Sequence, residues 1–109
     1  MDIQVRHDDT IRGSERLNEQ VAAVLEDSLE RFKDQISRVE VHFADENGPK
    51  AGDGDIRCTI DVKFDGRPNT AVTHHASSLD VALEVAADKM GRMLEHQVGR
   101  TRDRASAQT

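Results

Sequence analysis

The spacing of apolar side chains changes period several times along the chain, and each change marks a new element. Ile3, Val5 and His7 alternate with Gln4 and Arg6, which predicts a short first strand. Turn-forming residues follow from Asp8 to Gly13, and Ser14 with Glu15 supplies a helix start. Leu17, Val21, Val24, Leu25, Leu29 and Phe32 then recur every three or four residues, so residues 14–33 are expected to form an amphipathic helix. Its opposite face carries Glu19, Glu26, Glu30 and Lys33. From Ile36 the period is two, with Val39, Val41 and Phe43 on one side and Arg38, Glu40 and His42 on the other. Residues 45–54 hold three glycines and Pro49 and cannot continue a strand.

The clearest strand comes next. Ile56, Cys58, Ile60, Val62 and Phe64 alternate with Arg57, Thr59, Asp61 and Lys63. Asp65-Gly66 reads as a type I′ hairpin turn with both residues at positive φ, and Pro68 is expected to open a fourth strand reaching about His75. Ser77-Ser78-Leu79-Asp80 fits a capping box. Leu79, Ala82, Leu83, Ala86, Met90, Met93 and Leu94 then line one side of a last helix. Gly91 inside it costs about 1 kcal/mol against alanine, so it should serve close packing or face solvent. Gly99 is the expected C-cap, with residues 101–109 a polar, flexible tail.

The predicted order is β-α-β-β-β-α. Strands with one apolar face need cover, and two amphipathic helices supply it. The expected fold is an α+β two-layer sandwich, a four-stranded sheet covered on one face by both helices. At 109 residues the chain is one domain, assigned to residues 1–100, and it can bury roughly two-thirds of its surface.

Composition narrows the function. The chain is 36% hydrophobic and 33% charged with a net charge of −6, which suits a globular protein rather than an acidic disordered tail. No apolar run approaches the 18 residues of a membrane span, and the opening Met1-Asp2-Ile3-Gln4 lacks a secretory pattern, so a cytoplasmic location is expected. Cys58 is the one cysteine, which excludes an intrachain disulfide and a CxxC site. Three phenylalanines with no Trp or Tyr argue against nucleic-acid recognition by aromatic stacking.

Catalytic and metal chemistry find little support. His74 and His75 are adjacent, so on a strand they face opposite sides and cannot share one ion. Cys58 lies on the apolar alternation and reads as a buried small hydrophobe rather than a nucleophile. Asp45, Glu46, Asp53 and Asp55 match no calcium-loop spacing. There is no GxSxG, Walker or GxGxxG motif. We expect no enzyme, no metal, no cofactor and no small-molecule substrate. A small hydrolase or metal protein using His74, His75 and Cys58 is the competing chemistry.

What remains is an asymmetry of charge. Residues 89–104 hold five cations against two acids and carry +3, leaving −9 on the other 93 residues. Lys89, Arg92, His96 and Arg100 step by three, four and four, which aligns them on one side of the last helix if it reaches that far. Such a row can follow phosphates along a nucleic-acid backbone. A solvated face, with cations favoured near the helix C-terminus, is the plainer reading of the same residues.

Ser78-Leu79-Asp80-Val81-Ala82-Leu83 and Asp88-Lys89-Met90-Gly91-Arg92-Met93-Leu94, in this order of elements, resemble the ribosome hibernation-promoting factor and ribosome-associated inhibitor A family, also known as sigma-54 modulation proteins. The resemblance spans about residues 1–100. The middle of the chain looks like a short, divergent branch. The family implies a fold similar to a double-stranded RNA-binding domain. It also implies a non-enzymatic partner of the small ribosomal subunit that blocks translation by gripping ribosomal RNA phosphates. Carried onto this chain, Lys89 and Arg92 match the basic positions of the last helix. His96 and Arg100 fall where relatives carry lysines, Arg102 extends the cationic end, and Arg16 and Arg31 are first-helix candidates. A monomer is expected, with dimerisation through the sheet edges left open. The first helix bears Glu15, Glu19, Glu26, Asp27 and Glu30, which motivates an alternative: a protein-interaction module that kept the fold and lost the RNA surface.

Overall fold

The computed structural model describes residues 1–8, 15–45 and 56–107, with side chains to residue 99. The elements are β1 (Asp2–His7), α1 (Glu15–Leu29), a 3₁₀ segment (Glu30–Gln35), β2 (Ile36–Asp45), β3 (Ile56–Phe64), β4 (Thr70–Ala76) and α2 (Leu79–Ala107). They build one sheet in the order β1-β2-β3-β4. β1 runs parallel to β2, because α1 carries the chain back between them, and the other neighbours are antiparallel. The β-α-β-β-β-α order and the two-layer arrangement are those the periodicity implies.

Both helices lie on one side of the sheet. Leu17, Val21, Leu25 and Leu29 of α1 join Ala82, Leu83, Ala86, Ala87, Met90 and Leu94 of α2 over Val39, Val41, Phe43, Cys58, Ile60 and Val62. The opposite side, carrying Arg38, Glu40, His42, Thr59, Asp61 and Lys63, has no covering layer among the described residues. Phe32 and Phe64 close one end of the core edge to face, with ring centroids 6.2 Å apart.

Strict alternation would turn Ile36 away from Val39, yet both are buried. A bulge resolves this. The β2–β3 register passes from Ile36↔Phe64 to Arg38↔Lys63, leaving Ser37 as the extra residue, and its Oγ donates to the Lys63 carbonyl at 3.3 Å.

Five local expectations are corrected. The first helix does not stay α-helical to Lys33. It tightens to 3₁₀ at Glu30, which seats Phe32 in the core and delivers Ile36 to the sheet. The turn after β3 is not type I′. Among the described residues only Gly66 has positive φ (73°), and Arg67 N–H donates to the Phe64 carbonyl at 3.1 Å, a turn of type II character. β4 consequently starts at Thr70 rather than Pro68.

At the start of α2 the cap is Ser78, whose Oγ accepts from Val81 N–H at 3.3 Å. Asp80 does not reach back as in a capping box; it accepts from Gln20 Nε2 of α1 at 2.6 Å. Gly99 does not end α2, for it lacks the left-handed φ of a C-cap and the helix continues to Ala107. The glycine-rich residues 46–55 and the residues before Glu15 lie outside the described residues.

Gly91 settles on close packing. A Cβ built there would stand 3.2 Å from the Ser28 carbonyl oxygen of α1, so glycine sets how near the two helices approach. Replacing it with leucine should separate α1 from α2 and cost about 1–3 kcal/mol. Thermal unfolding followed by circular dichroism should register this as a fall of roughly 4–8 °C per kcal/mol. An unchanged midpoint would show that the crossing tolerates a side chain.

Candidate nucleic-acid interface

Continuity of α2 is what makes a cationic row geometrically possible. At 100° per residue, positions 89, 92, 96 and 100 fall within an arc of about 80° on one unbroken helix. Lys89, Arg92 and His96 are all exposed. Arg102 falls off this arc although it belongs to the same helix. The side chains of Arg100 and Arg102 lie outside the described residues.

Lys89, Arg92 and Arg31 each have a neighbour in the folded protein. Lys89 Nζ stands 3.1 Å from His74 Nδ1 on β4, a contact in which the imidazole accepts and the ammonium donates. Arg92 pairs with Asp88 one turn before it at 3.0 Å, the acid-before-base orientation that suits a helix. Arg31, in the 3₁₀ segment, reaches across to α2 and lays its fork on Glu95, with both N–H···O distances 3.3 Å. The same guanidinium lies 5.4 Å from the Phe32 ring centroid. Arg16, exposed on the first turn of α1, forms no ion pair with a described residue.

Arg31 and Arg92 come together. Both line a cleft of about 360 Å³ between the helices, with Asp27, Ser28, Asp88, Gly91 and Glu95. Arg16 lies elsewhere, at the opposite end of α1, and Lys89 occupies the flank of α2 that faces β4. The first-helix and last-helix candidates therefore make one shared cleft and two separate outposts, rather than a single strip.

Magnitudes decide what the ion pairs mean. The Arg31–Glu95 side chains are 63% and 59% exposed and the Arg92–Asp88 pair is more exposed still, so each pair holds by no more than about 1 kcal/mol. A phosphate can displace such a carboxylate, but it cannot remove the charge. From α1 to residue 99 the helix layer bears five cations (Arg16, Arg31, Lys33, Lys89 and Arg92) against ten carboxylates. Its net field repels a polyanion, and only locally do arginines present themselves.

The competing chemistry receives no geometric support. His74 points to the helix layer and His75 stands opposite Arg57 on the open face. Among the described residues no three His, Cys, Asp or Glu side chains gather in a metal-binding arrangement. Cys58 is completely buried, and desolvation pushes its thiol up to about 12. A thiol so held is protonated at neutral pH and lacks nucleophilic character. Among the described residues no helix is long and apolar enough to cross a membrane.

Comparison with known proteins agrees with this architecture. The family model described as sigma 54 modulation protein / S30EA ribosomal protein matches residues 3–102. No curated protein sequence matches the chain. Among solved structures, the Thermus thermophilus Protein Y N-terminal domain superposes with a TM-score of 0.72 at 17% identity, covering 88% of this chain and 98% of its own. A ribosomal subunit interface protein from Coxiella burnetii superposes with a TM-score of 0.68 at 18% identity, covering 91% of this chain and 99% of its own.

The state of Cys58 is directly measurable. A thiol-specific reagent should leave the folded protein unmodified at pH 7.5 and label it fully in denaturant; rapid labelling of the native form would contradict the burial. The unfolded thiol ionises near 9.0 and the folded one near 12, so the folded state holds the proton longer. Its contribution to stability is complete below about pH 9 and is lost as pH rises toward 12. That alkaline loss should shrink in Cys58→Ala, measured by urea unfolding across this range.

Proposed function

Because the chain belongs to the sigma 54 modulation protein / S30EA ribosomal protein family, we propose that it is a ribosome-associated factor that silences translation without chemistry of its own. On this reading it works in the cytoplasm as a monomer, docks on the small subunit and keeps idle ribosomes from initiating. The observation that carries the reading is the unbroken α2 helix, which presents Lys89, Arg92 and His96 on one exposed arc and continues into its arginine-bearing end. Phosphates of ribosomal RNA are the matching chemistry, since guanidinium forks and ammonium groups neutralise them and release counterions. The Coxiella burnetii neighbour, a ribosomal subunit interface protein, supports the choice of partner.

Arg31 and Arg92 contribute in this scheme by exchanging a carboxylate for a phosphate. Asp88 and Glu95 then act as local brakes, holding the arginines in the free protein and opposing the incoming anion afterwards. One observation favours a second reading, a module that binds a basic protein partner: the ten carboxylates of the helix layer. Association that survives nuclease treatment would select it.

Co-sedimentation with ribosomes over a salt series tests the proposal. Binding should be present at low ionic strength and weaken steadily as salt rises; its absence even at low salt would defeat the reading. Lys89→Glu with Arg92→Glu should weaken association sharply and flatten the log–log salt slope by about 2, with the protein still folding cooperatively in a thermal melt. Asp88→Asn with Glu95→Gln should act the other way, strengthening binding by up to about fivefold per site.

A further inference from the structure

The open face of the sheet ends in a patch whose charge is opposite to that of the helix layer. Register places Arg6 of β1 beside His42 of β2, His42 beside Thr59 of β3, and Thr59 beside Thr73 of β4. One row further along, Arg57 of β3 stands beside His75 of β4. With strands about 4.8 Å apart, the six side chains cover an area about 14 Å wide and one residue-pair deep. The Thr59 and Thr73 hydroxyls stand 3.2 Å apart. Arg6, Thr73 and His75 are exposed, while His42, Thr59 and Arg57 are half-buried.

None of the strand residues named in the two rows is a carboxylate. The described acids that border it are Asp8, whose Oδ1 lies 3.4 Å from His42 Nε2, Asp45 at the end of β2, and Glu40 and Asp61, which form the next row back. Asp8 and His42 are each 45% exposed, so their contact yields readily to a stronger anion. Arg6 forms no ion pair with a described residue. A polyanion arriving at the helix layer meets ten carboxylates and five cations; one arriving here meets two guanidiniums, two imidazoles and two hydroxyls, with the Asp8 carboxylate beside them.

We propose that this end of the open sheet face is a second RNA-backbone contact, on the side of the molecule opposite Lys89 and Arg92. The inference rests on the ribosome reading above and adds to it an orientation: RNA is gripped on both faces of the sheet. Arg6 and Arg57 supply forks for phosphate oxygens, and the threonine hydroxyls and imidazoles supply further donors. Glu40 and Asp61 bound the patch and keep phosphates toward its outer end. Without aromatic side chains on this face the contact reads backbone rather than base sequence.

The experiment compares wild type with Arg6→Gln/His75→Gln, two exposed positions, in salt-series binding to intact small subunits and to protein-free ribosomal RNA. Thr73→Glu, which places a carboxylate inside the patch, is the second variant, and thermal melts check that both fold. Association should weaken about tenfold at moderate salt for either variant, on subunits and on bare RNA alike, with the salt slope of the Arg6 variant reduced by about 1. Wild-type affinity retained by both variants would overturn the inference and leave the ribosome reading intact. Loss on subunits without loss on bare RNA would assign the face to a ribosomal protein and also overturn it. Failure of wild type to bind at low salt would remove both readings together.

Discussion

Everything in this molecule depends on α2 lying close against the one apolar face of the sheet. Ala82, Ala86 and Ala87 are short enough to bring its backbone near β3 and β4, while Leu83, Met90 and Leu94 fill the space between them. Gly91 removes the last obstacle on the α1 side, where even a methyl group would crowd the Ser28 carbonyl. Polar contacts finish the docking. Gln97 Nε2 donates to Thr70 Oγ1 at 3.0 Å, and Arg67 donates to the Gln97 carbonyl at 3.1 Å while lying over Phe64. A helix held in this way keeps its direction past the end of the sheet, and its exposed arc is consequently a fixed surface.

That fixed surface separates two kinds of electrostatics that composition merges. Net charge governs long-range approach, and the helix layer is acidic from α1 to residue 99. Contact is governed by particular side chains, and on the proposed function the arginines of the interhelical cleft and the cations of α2 are the ones that would meet phosphate. Exposed ion pairs mediate between the two regimes, because they hold weakly and exchange partners at small cost. On the proposed function, a protein built in this way would associate with RNA only where several contacts act together, and salt would control it strongly.

The uncovered sheet face carries its own pattern. Arg38 stands opposite Lys63 and Glu40 opposite Asp61, so like charges face each other across strands. Opposite charges instead follow one another along a strand, and Arg38 pairs with Glu40 at 3.3 Å. Such an arrangement is tolerable on a solvated surface and would be costly if buried dry.

Much of the fold was legible because its signals are local. The period-two runs of β2 and β3 and the stripes of α1 and α2 are imposed by backbone geometry within a few residues, and each can be read without its neighbours. Where the reading failed, a distant group intervened. Phe32 and Ile36 had to reach the core, so α1 tightened to 3₁₀ and Ser37 bulged; Gln20 captured Asp80, which left Ser78 to cap α2 alone. The candidate site divides in the same way. Asp88 lies one turn before Arg92 and their pairing follows from spacing, whereas Glu95 reaches Arg31 from 64 residues away and His74 reaches Lys89 from 15. The sequence by itself determined most of the buried face (Met93, expected on the apolar stripe of the last helix, is instead 43% exposed), which elements form and where cations concentrate, since these depend on side-chain chemistry and helical or strand period. Only the tertiary structure decided which carboxylate sits beside which cation and which face of the sheet stays open, because those depend on distances that close when separate elements pack.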